Sequence, residues 1–261
     1  RAMRGRLEAK GVCRMCVSLL FARAPAASNY DNQYPINALR NLALACAAAP
    51  LVFLVDVDFM PSAELVALCA KPDGLRAAAV CEGRALVVPA FEVRAPQRLP
   101  AEREGLRELW DGTRAEGFHV SGFPSGHSPT DFERWWAATE AYDVEYALNF
   151  EPYVIMERAR VPPYDERFRG YGMNKVSHLM EVAAAGLRFT VLPQVFIAAL
   201  EHPRSSAWAH AFGPLRDPSH SIRLAYIMAA FKRDLVARYG PHVLGGSLLP
   251  PSDPSQASPL P

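Results

Sequence analysis

The stretch LVFLVDVDFMP, Leu51–Pro61, decides how the chain is read. Five apolar residues run into Asp56-Val57-Asp58, and Pro50 and Pro61 bound the segment. A short apolar run between such stops predicts a buried strand of a parallel sheet. Its carboxylates then fall at the strand's C-terminal end, where open α/β sheets bind ligands. Two Asp at i and i+2 point the same way while the chain stays extended. Placed so, they offer oxygen ligands to a hard divalent cation such as Mg²⁺ or Mn²⁺. With 11 Asp in 261 residues, roughly half a D-x-D is expected by chance. The alternative is a strand that ends in two solvated or capping aspartates.

Composition narrows the field. The chain is 50% hydrophobic and 21% charged, ordinary for a globular protein, and long enough for one large α/β domain or two small ones. A net charge of +1 gives no bulk attraction to nucleic acid or to a membrane surface. The five cysteines (13, 16, 46, 69 and 81) are odd in number and lack framework spacing. Cys13 and Cys16 form a C-x-x-C without a second pair, which reads as buried thiols ahead of a zinc or redox site. No apolar run reaches membrane-spanning length. The chain starts without Met or a signal h-region, so it is expected to be a fragment with any targeting segment upstream. It carries no N-x-Ser/Thr sequon.

The periodicity predicts a mixed α/β order. Val12–Ala22 reads as a strand. A helix over 35–48 opens at Pro35 and is stopped by Pro50. With the strand 51–56 these make a βαβ unit. Ser62–Ala70 is a short helix with Ser62 as N-cap. Arg84–Phe91 is a strand, with Pro89 suggesting an edge or an end. Pro100–Trp110 is a charged helix, and 111–150 a long aromatic loop of the kind that is usually functional. Strands follow at Asn149–Met156 and Arg188–Pro193, and helices at 174–185, stopped by Gly186, and 219–239. Residues 246–261 hold five prolines and four serines and read as a disordered tail behind one domain spanning 1–245.

Seven motifs occur in one order: YPINALRNLAL, FLVDVDFMP, ALVVPAFE, GHSPTDFERWWAAT, FEPYVIMER, YDERFRGYGMNKVSHLMEV and FTVLPQVFIAALEHPRS. On these residues the chain resembles glycosyltransferase family 49, the LARGE-type glucuronyltransferase domain and the related β-1,4-glucuronyltransferase acting on dystroglycan glycans. The resemblance covers about residues 30–240. It implies a GT-A fold (a Rossmann-like mixed sheet flanked by helices), a UDP-glucuronic acid donor, Mn²⁺ (or Mg²⁺) and inversion at the anomeric carbon. It also implies a glycan acceptor, which can sit on a glycoprotein, and the Golgi lumen.

Each piece needs a physical role. A nucleotide diphosphate leaving group carries dense negative charge, which a divalent cation on few protein ligands neutralises. Asp56 and Asp58 fit that task, with Asp58 the direct ligand and Asp56 acting through water or on the ribose. His202 in LEHPRS falls where the family's C-terminal histidine does. Arg40 and Asn41 are assigned to donor binding, Arg40 as a planar fork for phosphate or uronate; a helix-surface arginine is the alternative. Many inverting GT-A enzymes carry an acidic pair where this chain has Asn174-Lys175. A lysine at a helix N-terminus is unfavourable unless an anion lies near, so both residues are assigned to diphosphate or uronate.

The base must then be another carboxylate. Asp131, Glu151 and Asp165 are the candidates, and Asp131, which also fits a helix N-cap ahead of FERWW, is favoured. His127 is expected to shape the sugar pocket by hydrogen bonding. Phe123, Trp135, Trp136 and Tyr171 fit either a sugar-stacking face or the core. One departure stands out: only 33 residues precede YPIN, room for one strand before the first helix. A fragment lacking the first strand–helix unit would keep its metal site and bind donor weakly. Two rivals follow, the same fold with another UDP-sugar and a non-catalytic glycan-binding or scaffold domain.

Overall fold

The computed structural model describes residues 16–21, 33–76, 78–79 and 82–244. The chain forms α1 (Ile36–Cys46), β1 (Leu51–Phe53), β2 (Met60–Pro61), α2 (Ala63–Ala70) and α3 (Asp73–Arg76). It continues through β3 (Arg84–Val88), β4 (Ala90–Val93), α4 (Arg103–Asp111), β5 (Ala115–Gly117), α5 (Pro124–His127) and α6 (Phe132–Ala137). The second half holds β6 (Tyr142–Val144), β7 (Tyr153–Glu157), α7 (Asn174–Ala184), β8 (Arg188–Val191), β9 (Ile197–Leu200), α8 (Ser206–Ala211) and α9 (Pro218–Tyr239). Local chemistry explains the ends. Pro35 opens α1, the Ser62 hydroxyl accepts from the Leu65 N–H at 3.2 Å to cap α2, and Gly186 at φ +84° follows α7.

Two mixed sheets result, ordered β1-β7-β3-β8-β6 and β2-β9-β4-β5. Pro89 is the device that joins them. It has no N–H to continue a ladder, so the expected single strand 84–91 splits there, β3 staying in the first sheet and β4 entering the second. β8 and β9 make the same step alongside, pairing parallel with β3 and β4 respectively. The remaining pairs are antiparallel. This arrangement of two mixed sheets flanked by helices is GT-A-like, as expected.

Three expectations change. Leu51–Phe53 is a half-buried three-residue strand at a sheet edge, antiparallel to β7, not a buried parallel strand. The chain leaves that sheet at Leu54 and crosses to the edge of the second, so Asp56 and Asp58 sit in a turn, with Phe59 N–H bonded to the Asp56 carbonyl at 3.3 Å. The i, i+2 argument for parallel carboxylates therefore lapses. Residues 16–21 of the expected first strand have no regular structure, so no βαβ unit opens the described residues. The rest of that strand, Cys13, Cys81 and the tail 246–261 lie outside them. Finally, the loop 111–150 contains β5, α5, α6 and β6.

The core explains why those aromatics are there. Trp135 is fully buried, 5.1 Å from the Phe91 ring, and its indole N–H donates to the Leu192 carbonyl at 3.0 Å. It is a core residue with its polar end satisfied. Trp136 packs against Phe91 under the guanidiniums of Arg103 and Arg107. Neither indole is free to stack on a sugar. A second cluster centres on Phe59, Leu65, Tyr153 and Ile197, and a third joins α7 to α9 through Val176, Met180, Leu224 and Phe231.

Candidate active site

The β2–β9 pairing builds the mouth of the site. Met60 lies opposite Ala198 in antiparallel register, so the residues before β2 face those after β9. Asp58 and His202 meet as a result, Oδ2 to Nε2 at 3.3 Å, both well exposed. His202 Nδ1 lies 3.0 Å from the Pro203 carbonyl. That bond fixes the tautomer of the neutral ring and leaves the Nε2 lone pair facing Asp58. The same carbonyl, with Asp58, raises the imidazole's proton affinity against a smaller effect of burial. A carboxylate oxygen and an imidazole nitrogen on an open face suit a divalent cation such as Mn²⁺. Among the described residues no three His, Cys, Asp or Glu side chains converge, so a cation would find two protein donors and take the rest from its ligand.

Asp56, two residues earlier, is held differently. It accepts from the Tyr153 hydroxyl at 2.7 Å and from Lys175 Nζ at 3.4 Å, and Arg40 lies 3.6 Å away. Burial raises its proton affinity, but Lys175, Tyr153 and Arg40 outweigh that and hold the carboxyl below its usual range. Asp56 thus belongs to the inner wall. Asp56 and Asp58 line a cleft of about 590 Å³ together with Ile36, Arg40 and His202. Behind it a cavity of about 20 Å³, room for one water, is bounded by Asp56, Tyr164, Lys175 and His178. His178 stacks on Tyr164 at 3.7 Å. Burial and the Arg40 charge keep it neutral, its pKa pushed down to about 3.

Lys175 explains the inner wall. It is the second residue of α7, and its ammonium reaches Tyr153 Oη at 3.0 Å as well as Asp56. Burial lowers its proton affinity, but Tyr153, Glu151 and Asp56 more than reverse this. At neutral pH the two carboxylates matter, because Tyr153 is neutral. The anion that a lysine at a helix N-terminus needs is therefore supplied from within. Asn174 Nδ2 donates to the Gly170 carbonyl at 2.8 Å, and its Oδ1 is buried with no partner among the described residues.

The other assigned residues separate. Arg40 lies over the Tyr164 ring and lines the cleft. Asn41 is a staple: its Nδ2 donates to the Tyr164 carbonyl and the Glu166 carboxylate, both at 2.9 Å, and its Oδ1 accepts from the Tyr164 N–H at 2.8 Å. Asp131 caps α6 from a left-handed conformation (φ 58°), accepting from the Arg134 N–H at 3.1 Å. Asp165 is claimed by Arg167, which also bonds Asp234 at 2.6 Å. Glu151 is the candidate base whose charge environment includes Lys175, Asp56 and Arg40. Burial raises its proton affinity first, and Lys175 opposes that.

Gly126 makes room for this corner. A Cβ there would lie 2.6 Å from the Phe123 ring and 3.6 Å from Glu151 Cγ, and the Gly126 carbonyl accepts from the Glu151 N–H at 2.9 Å. His127 does not hydrogen-bond into a sugar pocket. It is buried, its Nε2 has no partner among the described residues, and its ring lies 6.1 Å from that of Tyr153. Tyr153 and His178 were not singled out in the sequence. A tyrosine inside the apolar run FEPYVIM was the available signal, since a buried hydroxyl needs a partner.

A family model described as a glycosyl-transferase for dystroglycan matches residues 4–203. The chain belongs to this glycosyltransferase family. It is similar to the xylosyl- and glucuronyltransferase LARGE2 of Mus musculus, 38% identical over 214 residues, 79% of this chain and 30% of that protein. The Homo sapiens LARGE2 is 42% identical over 179 residues, 66% of this chain and 24% of that protein. The glycosyltransferase-like protein gnt14 of Dictyostelium discoideum is 36% identical over 177 residues, 67% and 28% respectively. The chain thus spans less than a third of the length of these relatives. The matched segment contains Asp56, Asp58, Lys175 and His202, while α8 and α9 lie beyond it.

The geometry of Asn41 gives a test of its role. Asn41→Ala is expected to destabilise the fold by about 2 kcal/mol, because it leaves the Tyr164 N–H unpaired. Urea unfolding measures this, and an unchanged midpoint would return Asn41 to the donor-binding set.

Proposed function

We propose that this domain is a metal-dependent, inverting glycosyltransferase that moves glucuronic acid from a UDP donor to a glycan hydroxyl. The observation that carries the reading is the Asp58–His202 pair at the mouth of a cleft lined by Asp56 and Arg40, with Lys175 behind Asp56. Asp58 and His202 would hold Mn²⁺ or Mg²⁺, which supplies Lewis-acid neutralisation of diphosphate charge when bound. Arg40 presents a planar fork to an anionic donor group in the cleft. Lys175 keeps Asp56 ionised and adds positive charge behind it. Glu151 takes the proton of the acceptor hydroxyl, and its raised proton affinity brings it toward the value a base needs near neutral pH. Inversion needs one displacement, so no side chain has to form a bond to the sugar.

The same proposal includes the Golgi lumen and a glycan acceptor carried on a glycoprotein. No described helix is long and apolar enough to cross a membrane.

Hydrolysis of a UDP-sugar panel with and without Mn²⁺ tests the reading. UDP-glucuronate turnover should require the metal and fall at least about 100-fold in Asp58→Asn, the loss of several kcal/mol of charge stabilisation. Binding of no donor, with or without Mn²⁺, would favour a scaffold domain instead. Lys175→Ala removes the positive charge behind Asp56 and should raise KM for UDP-glucuronate and UDP-glucose alike, by about tenfold, the scale of one charge-assisted interaction. A rise for UDP-glucuronate alone would place Lys175 on the uronate. Glu151→Gln should lower kcat by about 10²–10⁴ and leave donor KM unchanged. A larger loss in Asp131→Asn or Asp165→Asn would move the base there.

A further inference from the structure

The fold brings together two thiols that the C-x-x-C spacing does not pair. Cys46 is the last residue of α1, and Cys16 begins the described segment 16–21; both are exposed. Cys46 Sγ lies 3.3 Å from Ser18 Oγ and within hydrogen-bonding reach of the Cys16 thiol. Burial does not hold that segment, because Val17, Leu19 and Phe21 are 66%, 78% and 90% exposed. We propose that Cys16 and Cys46 form a disulfide that fastens the segment 16–21 to the end of the helix carrying Arg40.

The chemistry closes with glutathione disulfide as the electron acceptor. The Cys46 thiolate attacks one of its sulfurs, breaks the S–S bond and releases one glutathione thiolate. Cys16 then gives up its proton and attacks Cys46 Sγ in the mixed disulfide, releasing the second. Two protein thiols lose two electrons and two protons, and glutathione disulfide takes them up to become two glutathione thiols. The contacts from Cys16 and Ser18 lower the Cys46 pKa and raise its thiolate share, which suits it to the first attack. An oxidising compartment preserves such a bond.

Peptide mapping tests the pairing. The chain with Cys69→Ser, a change needed because Cys69 shares a tryptic peptide with Cys46, is equilibrated in glutathione buffer, alkylated and digested with trypsin. Cleavage after Arg14, Arg23 and Arg40 separates the cysteines. A link between residues 15–23 and the peptide that begins at Asn41 is expected. A link between residues 11–14 and 15–23, the C-x-x-C pairing, would overturn the proposal, and so would full alkylation of both thiols. As a second readout, reductant should lower the Tm by about 5 °C in the parent chain and leave Cys46→Ser unchanged. An equal response in both would also overturn it.

Discussion

The Lys175 ammonium, buried beside Asp56 and within the field of Glu151, is the constraint around which the site is arranged. Two unit charges about 4 Å apart attract by about 4 kcal/mol at an effective dielectric of about 20. Desolvation costs several kcal/mol per ion, so the attraction between the two alone does not offset burying them. Tyr153, bonded to both partners, and Arg40, against Asp56, tip the balance. Such a cluster adds little to stability. It holds positive charge against a cleft, which is what an anionic ligand requires.

The scaffold for that cluster extends beyond the family-matched segment. Within α7, Glu181 is buried and bonds Arg238 and the Tyr239 hydroxyl of α9. Arg223 of α9 donates to the Arg169 carbonyl at 2.8 Å, and His220 Nε2 lies 2.9 Å from the Tyr171 carbonyl. These contacts fix the loop that leads into Asn174 and Lys175. Removing one member of a buried ion pair leaves a charge without compensation, so α9 supports the position of Lys175 although it touches no part of the cleft.

What could be read from the sequence follows the range of each signal. Helices with local stops, α1 between two prolines and α7 before Gly186, were legible, as was the Ser62 cap. Pro89 was legible as a break, but whether a break ends a strand or passes it to a second sheet depends on partners far along the chain. The D-x-D turn failed for the same reason: Leu51–Phe53 leaves its sheet because β2 pairs with β9, two residues against two. Lys175 was legible as a charge in need of an anion, and Asp56 proved to be that anion. Trp135 and Trp136 could not be assigned from sequence, since an indole suits both a core and a sugar platform.

The three carboxylates proposed as base differ in where their hydrogen bonds go. Asp131 uses its oxygen on the Arg134 N–H at the N-terminus of α6. Asp165 is engaged by the Arg167 guanidinium. Burial raises the proton affinity of Glu151 and Lys175 opposes that, and a carboxylate more basic than one in water suits general-base work better. Lys175 thus acts on two carboxylates at once, holding Asp56 as an anion in the wall and limiting the proton affinity of Glu151.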